Sequence, residues 1–272
     1  MSGPDSFARA PRDLRDLLAL AQDLARAAGG AHAAGRDEGL TVSTKSSPTD
    51  LVSQVDKRVE RLILERLQAE RPDDALLAEE GSLMGGSSGV RWVVDPLDGT
   101  TNYIYDYPSF AASIGVEVDG ETAVGVILDS ASGRLFSAVA GFGAECDGRP
   151  VRAREPQDLA RALVATGFSY DAAQRERQGA VIAALIGKVR DIRRGGAAAV
   201  DLCHVAAGRV DAYWELDTSP WDYTAGVLIA REAGAAVELR PAAHGRGPAV
   251  VAAHPALMPA FLDLLTEAGA LA

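Results

Sequence analysis

Cysteine is scarce in this chain: among 272 residues there are two, Cys146 and Cys203. That is no disulfide framework, so stability has to come from a packed core, and a reduced, cytoplasmic setting is expected. Basic residues are outnumbered, 27 Lys and Arg against 38 Asp and Glu, for a formal net charge of −11. Neutralising nucleic-acid phosphates or settling on an anionic membrane needs a basic face, so neither partner is expected. Aromatics make up only 6 % of the residues, little material for stacking a nucleotide base. No apolar run approaches the roughly 20 residues that span a bilayer. The opening stretch, MSGPDSFARAPR, lacks the apolar centre of a signal peptide. The four histidines are scattered without zinc-ligand spacing, and His204, on an expected helix, reads as core or surface.

What is present suits an ordinary globular chain, with 47 % hydrophobic and 24 % charged residues. Apolar residues recur at helical spacing from Leu14 to Ala28, and Gly29-Gly30 is expected to stop that helix. A second amphipathic helix is expected over 49–69, stopped by Pro72. Short apolar runs at 75–78, 92–94, 113–118, 123–128 and 135–139 read as strands. Asp119-Gly120 and Ser132-Gly133 between the later runs signal hairpins. Beyond Pro150 the pattern alternates. Strands are expected at 162–167 and 211–216, with a short one between, and helices at 172–189, 196–207 and 221–234. Two more strands and a helix from Pro255 follow. The expected organisation is an α+β half over 1–150 and an α/β half over 151–272.

The acids are not spread evenly. The run 75–78 leads into Glu79-Glu80, and 92–94 leads into Asp95-Pro96-Leu97-Asp98-Gly99-Thr100. Asp222 opens an apolar helix after Pro220-Trp221. Pro96 has no backbone donor and Gly99 tolerates unusual backbone angles, so the segment can curl with Asp95 and Asp98 on one side. Two carboxylates with the Leu97 carbonyl between them are hard oxygen donors of the kind Mg²⁺ takes; the same residues also suit a tight turn with Asx capping. Two carboxylates about 5 Å apart repel by roughly 3 kcal/mol at an effective dielectric of about 20. A converging cluster must therefore bind cations, hold protons or separate.

Similar motifs are excluded by spacing. The haloacid-dehalogenase type has D-x-D near the chain start, whereas this chain has D-x-x-D a third of the way along. An EF-hand from Asp95 would need glycine where Thr100 stands. Gly85-Gly86-Ser87-Ser88-Gly89 spells a nucleophile elbow but precedes a strand instead of joining strand to helix. There is no Walker A sequence.

Four segments together resemble the inositol monophosphatase family. Trp92-Val93-Val94-Asp95-Pro96-Leu97-Asp98-Gly99-Thr100-Thr101-Asn102-Tyr103 is similar to its first signature. The stretch Trp221-Asp222-Tyr223-Thr224-Ala225-Gly226, continuing to Gly234, is similar to its second. Glu79-Glu80-Gly81 resembles its acidic pair, and Lys45-Ser46-Ser47-Pro48-Thr49-Asp50, followed by Asp56, its N-terminal segment. The resemblance implies a mixed α and β fold, a layered αβαβα sandwich of the inositol monophosphatase and sugar phosphatase type. It implies a lithium-sensitive, Mg²⁺-dependent phosphomonoesterase, a homodimer, with two or three Mg²⁺ per site. Carried over by motif, Glu79, Asp95 and the Leu97 carbonyl would hold one ion, and Asp95, Asp98 and Asp222 a second. Glu79 would help hold a third, with Glu80 nearby. Thr100 and Asp56 would orient the attacking water, and Gly99 and Thr100 would grip the phosphate. Gly196, Ala197, Ala198 and Glu215 would face the hydroxyls of a small phosphorylated polyol, and Lys45 would order a mobile loop.

Tyr103 stands where the family usually has Phe, and Ala197 where a hydroxyl residue is common. The implied substrate is myo-inositol monophosphate. Histidinol phosphate, fructose 1,6-bisphosphate and 3′-phosphoadenosine phosphates stay open, the bisphosphate needing a second anion pocket that Arg193 and Arg194 could supply. A non-catalytic interaction module would instead show damaged ligands, yet Glu79, Asp95, Asp98, Thr100 and Asp222 are intact.

Overall fold

The computed structural model describes residues 7–38, 42–44, 51–155, 158–243 and 247–272. Lys45 and the segment 45–50 lie outside the described residues. Helix α1 (Arg12–Asp37) is followed by the short ladder β1 (Val42–Thr44) and β2 (Leu51–Ser53), then by helix α2 (Gln54–Glu70). Strands β3 (Ala75–Ala78), β4 (Leu83–Met84) and β5 (Val90–Asp98) lead to the one-turn helix α3 (Thr100–Ile104). Then come β6 (Ala111–Val118), β7 (Glu121–Asp129), β8 (Arg134–Val139), β9 (Gly143–Cys146) and β10 (Arg149–Pro150). The second part runs β11 (Leu163–Thr166), α4 (Ala172–Leu185), β12 (Asp191–Arg193), α5 (Ala198–Ala206) and β13 (Ala212–Glu215). It continues with α6 (Pro220–Glu232), β14 (Ala236–Pro241), β15 (Pro248–Ala253) and α7 (Met258–Glu267).

Strands β3 to β10 form one eight-stranded sheet in the order β10-β9-β8-β7-β6-β5-β3-β4. A second sheet has the order β12-β11-β13-β15-β14. Its first three strands are parallel and its last pairs antiparallel, so the expected α/β alternation yields a mixed sheet. Helices α1 and α2 cover the outer face of the large sheet, α5 and α6 lie between the sheets, and α4 and α7 cover the far side. The layers read αβαβα, as the resemblance implied. A separate buried apolar cluster fills each of the four interfaces between layers.

The middle layer sits tight because of a glycine pair. Gly115 on β6 and Gly125 on β7 stand opposite each other in register. A methyl at Gly125 would lie 2.7 Å from the Ala225 carbonyl oxygen, and one at Gly115 would lie 2.6 Å from the Thr224 side chain. The backbone of α6 therefore rests directly on the sheet, which fixes the helix carrying Asp222.

Three local expectations need correction. Helix α1 runs through Gly29-Gly30 to Asp37. Its apolar stripe continues beyond them, and Gly29 gives room to the Leu128 side chain, so packing overrides the local stop signal. Helix α2 begins at Gln54 because Ser53 and Asp56 close a capping box, the Ser53 N–H donating to Asp56 Oδ2 at 2.9 Å. Finally, β5 does not end at Val94. It continues to Asp98 with a bulge: Asp95 pairs with Ser113 and Asp98 with Ala111, leaving one extra residue on β5. In a regular strand residues three apart face opposite sides; the extra residue turns Asp95 and Asp98 to the same side.

Candidate active site

The bulge, the end of β3, the start of α6 and the end of β13 meet at one cleft of about 100 Å³. Glu79, Asp95, Leu97, Asp98 and Asp222 line it, joined by Gly99, Thr100, Gly196, Ala198 and Glu215. Each acid has a local reason for its position. Glu79 follows β3 directly, and its N–H donates to Val94 O at 3.2 Å. Asp95 is 2 % exposed and accepts from the Leu97 N–H at 2.9 Å. Asp98 Oδ2 accepts from Ala199 N–H at 2.7 Å, so the first turn of α5 docks on this carboxylate. Asp222 completes a capping box at the start of α6, accepting from Ser219 N–H at 2.7 Å. Glu215 accepts from the Tyr213 hydroxyl at 2.9 Å.

Gly99 joins β5 to α3 with φ 85°, in the left-handed region. A methyl there would also meet Ser109 O at 2.8 Å. The turn sets Thr100 against the cleft floor. Its hydroxyl has one proton and two acceptors, Asp56 Oδ1 at 2.9 Å and Leu97 O at 3.0 Å. Asp56 itself is fully buried behind Thr100.

The electrostatics follow from burial and crowding. Burial first, then Glu79, Asp98 and Asp222, push Asp95 well above the ordinary carboxylate range; Glu79 also hydrogen-bonds it. Asp222 is raised well above that range by burial, with Asp98, Glu79 and Glu215 adding to it against the Ser219 N–H. Burial lifts Asp98 to about 7, the Ala199 N–H opposing and Glu215 and Glu79 reinforcing. Glu215 is raised by burial, and the Tyr213 hydroxyl and Arg194 oppose. Such a set keeps its charge only beside cations; otherwise it retains protons. Among the described residues, no three His, Cys, Asp or Glu side chains close on one point as a ready-made cage. The donors here share a cleft rather than a point. All are oxygen, and the Leu97 carbonyl adds a neutral one, the set that hard divalent cations prefer.

Three expected residues do not line this cleft: Asp56, which sits behind Thr100, and Ala197 and Glu80. Ala197 is 2 % exposed, and its methyl packs toward Gly99. Glu80 stands beside Glu79, and its N–H donates to Glu60 Oε2 at 2.7 Å. Glu60 also accepts from Ser82 N–H at 2.9 Å, so it anchors the acidic turn. Sequence reasoning missed Glu60, although it lies one turn beyond Asp56 on α2. It also missed Gly167, Phe168 and Tyr170 on the cleft wall. A methyl at Gly167 would run into the Glu215 carboxylate, so glycine there leaves room for it. A glycine after a strand with two aromatics close behind was the available signal. Arg194 lines the same cleft and lies 6.0 Å over the Phe168 ring.

The sequence matches the inositol monophosphatase family over residues 13–266. It is 46 % identical over 245 residues to the inositol-1-monophosphatase SuhB of Mycobacterium tuberculosis, covering 85 % of this chain and 83 % of that protein. It is 40 % identical over 228 residues to the Nus factor SuhB of Escherichia coli K12, covering 82 % and 85 %. The solved structure of Mycobacterium tuberculosis SuhB superposes with a TM-score of 0.83 at 38 % identity, over 96 % of this chain and all of that one. This chain belongs to the inositol monophosphatase family and is a phosphoric monoester hydrolase.

Proposed function

We propose that the chain hydrolyses a myo-inositol monophosphate to inositol and phosphate, with Mg²⁺ as its metal. The observation that carries this reading is the convergence of Glu79, Asp95, Asp98, Asp222 and the Leu97 carbonyl on one cleft beside the Gly99-Thr100 turn. Both halves, 1–150 and 151–272, contribute, the first most of the ligands and the second Asp222 and Glu215.

Glu79, Asp95 and Leu97 would hold one ion and Asp95, Asp98 and Asp222 another, with Glu79 and Glu80 near a third. Bound Mg²⁺ would neutralise the acids and the phosphate dianion and make a water acidic enough to attack at neutral pH. The chain's own residues do the rest. Asp56 and the Leu97 carbonyl both attract the Thr100 proton, so the Thr100 lone pairs are left to accept one from the attacking water. Burial raises Asp56, helped slightly by Glu79 and opposed by Ser53 and Thr100, which suits a group that must receive a proton. Gly99 and Thr100 N–H groups grip the phosphate. Glu215, held by the Tyr213 hydroxyl, accepts from a polyol hydroxyl, and Gly196 and Ala198 shape the wall beside it.

Arg194 on the cleft wall supports fructose 1,6-bisphosphate as a second reading, since it could meet a second phosphate. The motif resemblance further implies a homodimer and lithium inhibition. Phosphate release should be measured with inositol 1-phosphate, fructose 1,6-bisphosphate, histidinol phosphate and 3′-phosphoadenosine 5′-phosphate. The highest kcat/KM is expected on inositol 1-phosphate. A higher value on the bisphosphate would select the second reading, and no release from any of them would favour an interaction module.

A further inference from the structure

The bulge at the end of β5 leaves polar backbone groups without ladder partners, and each described partner can be followed. Regular pairing stops at Asp95 and resumes at Asp98. Pro96 has no N–H to place. The Leu97 N–H goes to Asp95 Oδ1, and the Leu97 carbonyl faces the Thr100 hydroxyl. The remaining group, the Pro96 carbonyl, is met from outside the sheet by His32 Nε2 at 2.9 Å, from a helix 64 positions away in sequence.

The chemistry of the partners fixes the tautomer. A carbonyl only accepts, so Nε2 carries the proton. Nδ1 is then a lone pair, and Ser130 Oγ, 2.9 Å away, donates to it. The neutral imidazole is thereby satisfied at both nitrogens. It is 1 % exposed, between Tyr103 and Phe110 with ring centroids 6.0 and 6.2 Å away. The Tyr103 hydroxyl donates to the His32 carbonyl at 2.6 Å, so ring and backbone are both anchored. Burial lowers the His32 pKa to about 4; the Pro96 bond opposes this, and Arg36 adds to the lowering. The tie therefore stays in one protonation state through the neutral range.

We propose that His32 is a positioning residue: through the Pro96 carbonyl it holds the bulge in the shape that turns Asp95, the Leu97 carbonyl and Asp98 toward one cleft. The inference rests on the metal reading above. A buried carbonyl that loses its donor seeks another partner, and the nearest freedom is rotation of the Pro96-Leu97 segment. That rotation would carry the Leu97 carbonyl away from the cleft. Outer partners of metal ligands typically change affinity 10- to 100-fold when removed.

The test is calorimetric titration of Mg²⁺ into metal-free protein, without substrate, for wild type, His32→Leu, His32→Gln and Ser130→Ala. His32→Leu, which acts one peptide away from the Leu97 carbonyl, should weaken the Mg²⁺ Kd about tenfold, the lower end of the range for direct partners of metal ligands. His32→Gln, which keeps a donor at the Nε2 position, should stay within about twofold, and Ser130→Ala, which frees only the ring orientation, should weaken it about threefold. A purely structural histidine would lower the Tm of these variants and leave Kd unchanged. A folded His32→Leu with the wild-type Kd, or His32→Gln as weak as His32→Leu, overturns the proposal. If His32→Leu does not fold, a wild-type Kd in Ser130→Ala overturns it. No heat with the wild-type protein overturns the metal reading, and this inference with it, whatever the variants do.

Discussion

Removing divalent cations should make this protein's stability fall as pH rises, and Asp98 sets the scale. Its ordinary value is 3.8, and in the fold burial lifts it to about 7, with Glu215 and Glu79 adding to the rise against the Ala199 N–H. The folded state therefore binds this proton more tightly than the unfolded chain does. The stabilisation is complete below pH 3.8, declines as pH climbs, and is lost once pH passes about 7. At about 1.4 kcal/mol per pH unit, the loss from this one group is about 4 kcal/mol. Asp95 and Asp222 move in the same direction, also through burial first. Mg²⁺ bound in the cleft would replace the protons and remove the penalty, so its binding should release protons below neutrality. The assay is Tm by scanning calorimetry from pH 5 to 8.5, with chelator and with saturating Mg²⁺. About 3 kcal/mol of that loss falls between pH 5 and 8.5, so at roughly 2 °C per kcal/mol for a chain of this size the gap between the two curves should widen by about 6 °C. Parallel curves over that range would refute the clustering argument.

Two further outcomes follow from the packing and the cleft wall. Gly125→Ala should destabilise the fold by about 2 kcal/mol in urea unfolding, because its methyl meets the Ala225 backbone 2.7 Å away and cannot swing aside. A neutral result would show that α6 does not rest on the sheet as described. Glu215→Gln should lower kcat/KM on inositol 1-phosphate about tenfold, roughly 1.4 kcal/mol, with little change on p-nitrophenyl phosphate. Equal losses on both would place Glu215 in the chemical step instead of in substrate selection.

Much of this was legible in the sequence, for identifiable reasons. Strands β6, β7 and β8 announce themselves because apolar runs are separated by the turn pairs Asp119-Gly120 and Ser132-Gly133, and hairpins follow those signals. Strands β4, β9 and β10 do not, since two to four residues carry no readable period and exist through their ladder partners. Gly29-Gly30 misled because a local signal competes with the tertiary fit against Leu128. In the cleft, Glu79, Asp95, Asp98 and Asp222 were visible as motif acids. The bulge that aims two of them was not, because it exists only relative to β6. Glu60, Gly167 and His32 stayed hidden for a related reason: each works through a residue 20 or more positions away, on another element.

The central claim is that the acidic cleft is a divalent-metal phosphatase site. Its most direct test is the initial rate of phosphate release from inositol 1-phosphate across a Mg²⁺ titration from chelated to saturating, for wild type and Asp95→Asn. The account predicts no release in chelator, a saturable rise with Mg²⁺, and a kcat at least tenfold lower in Asp95→Asn, about 1.4 kcal/mol of barrier. Release that persists undiminished in chelator, or an Asp95→Asn protein with wild-type kcat, would contradict it.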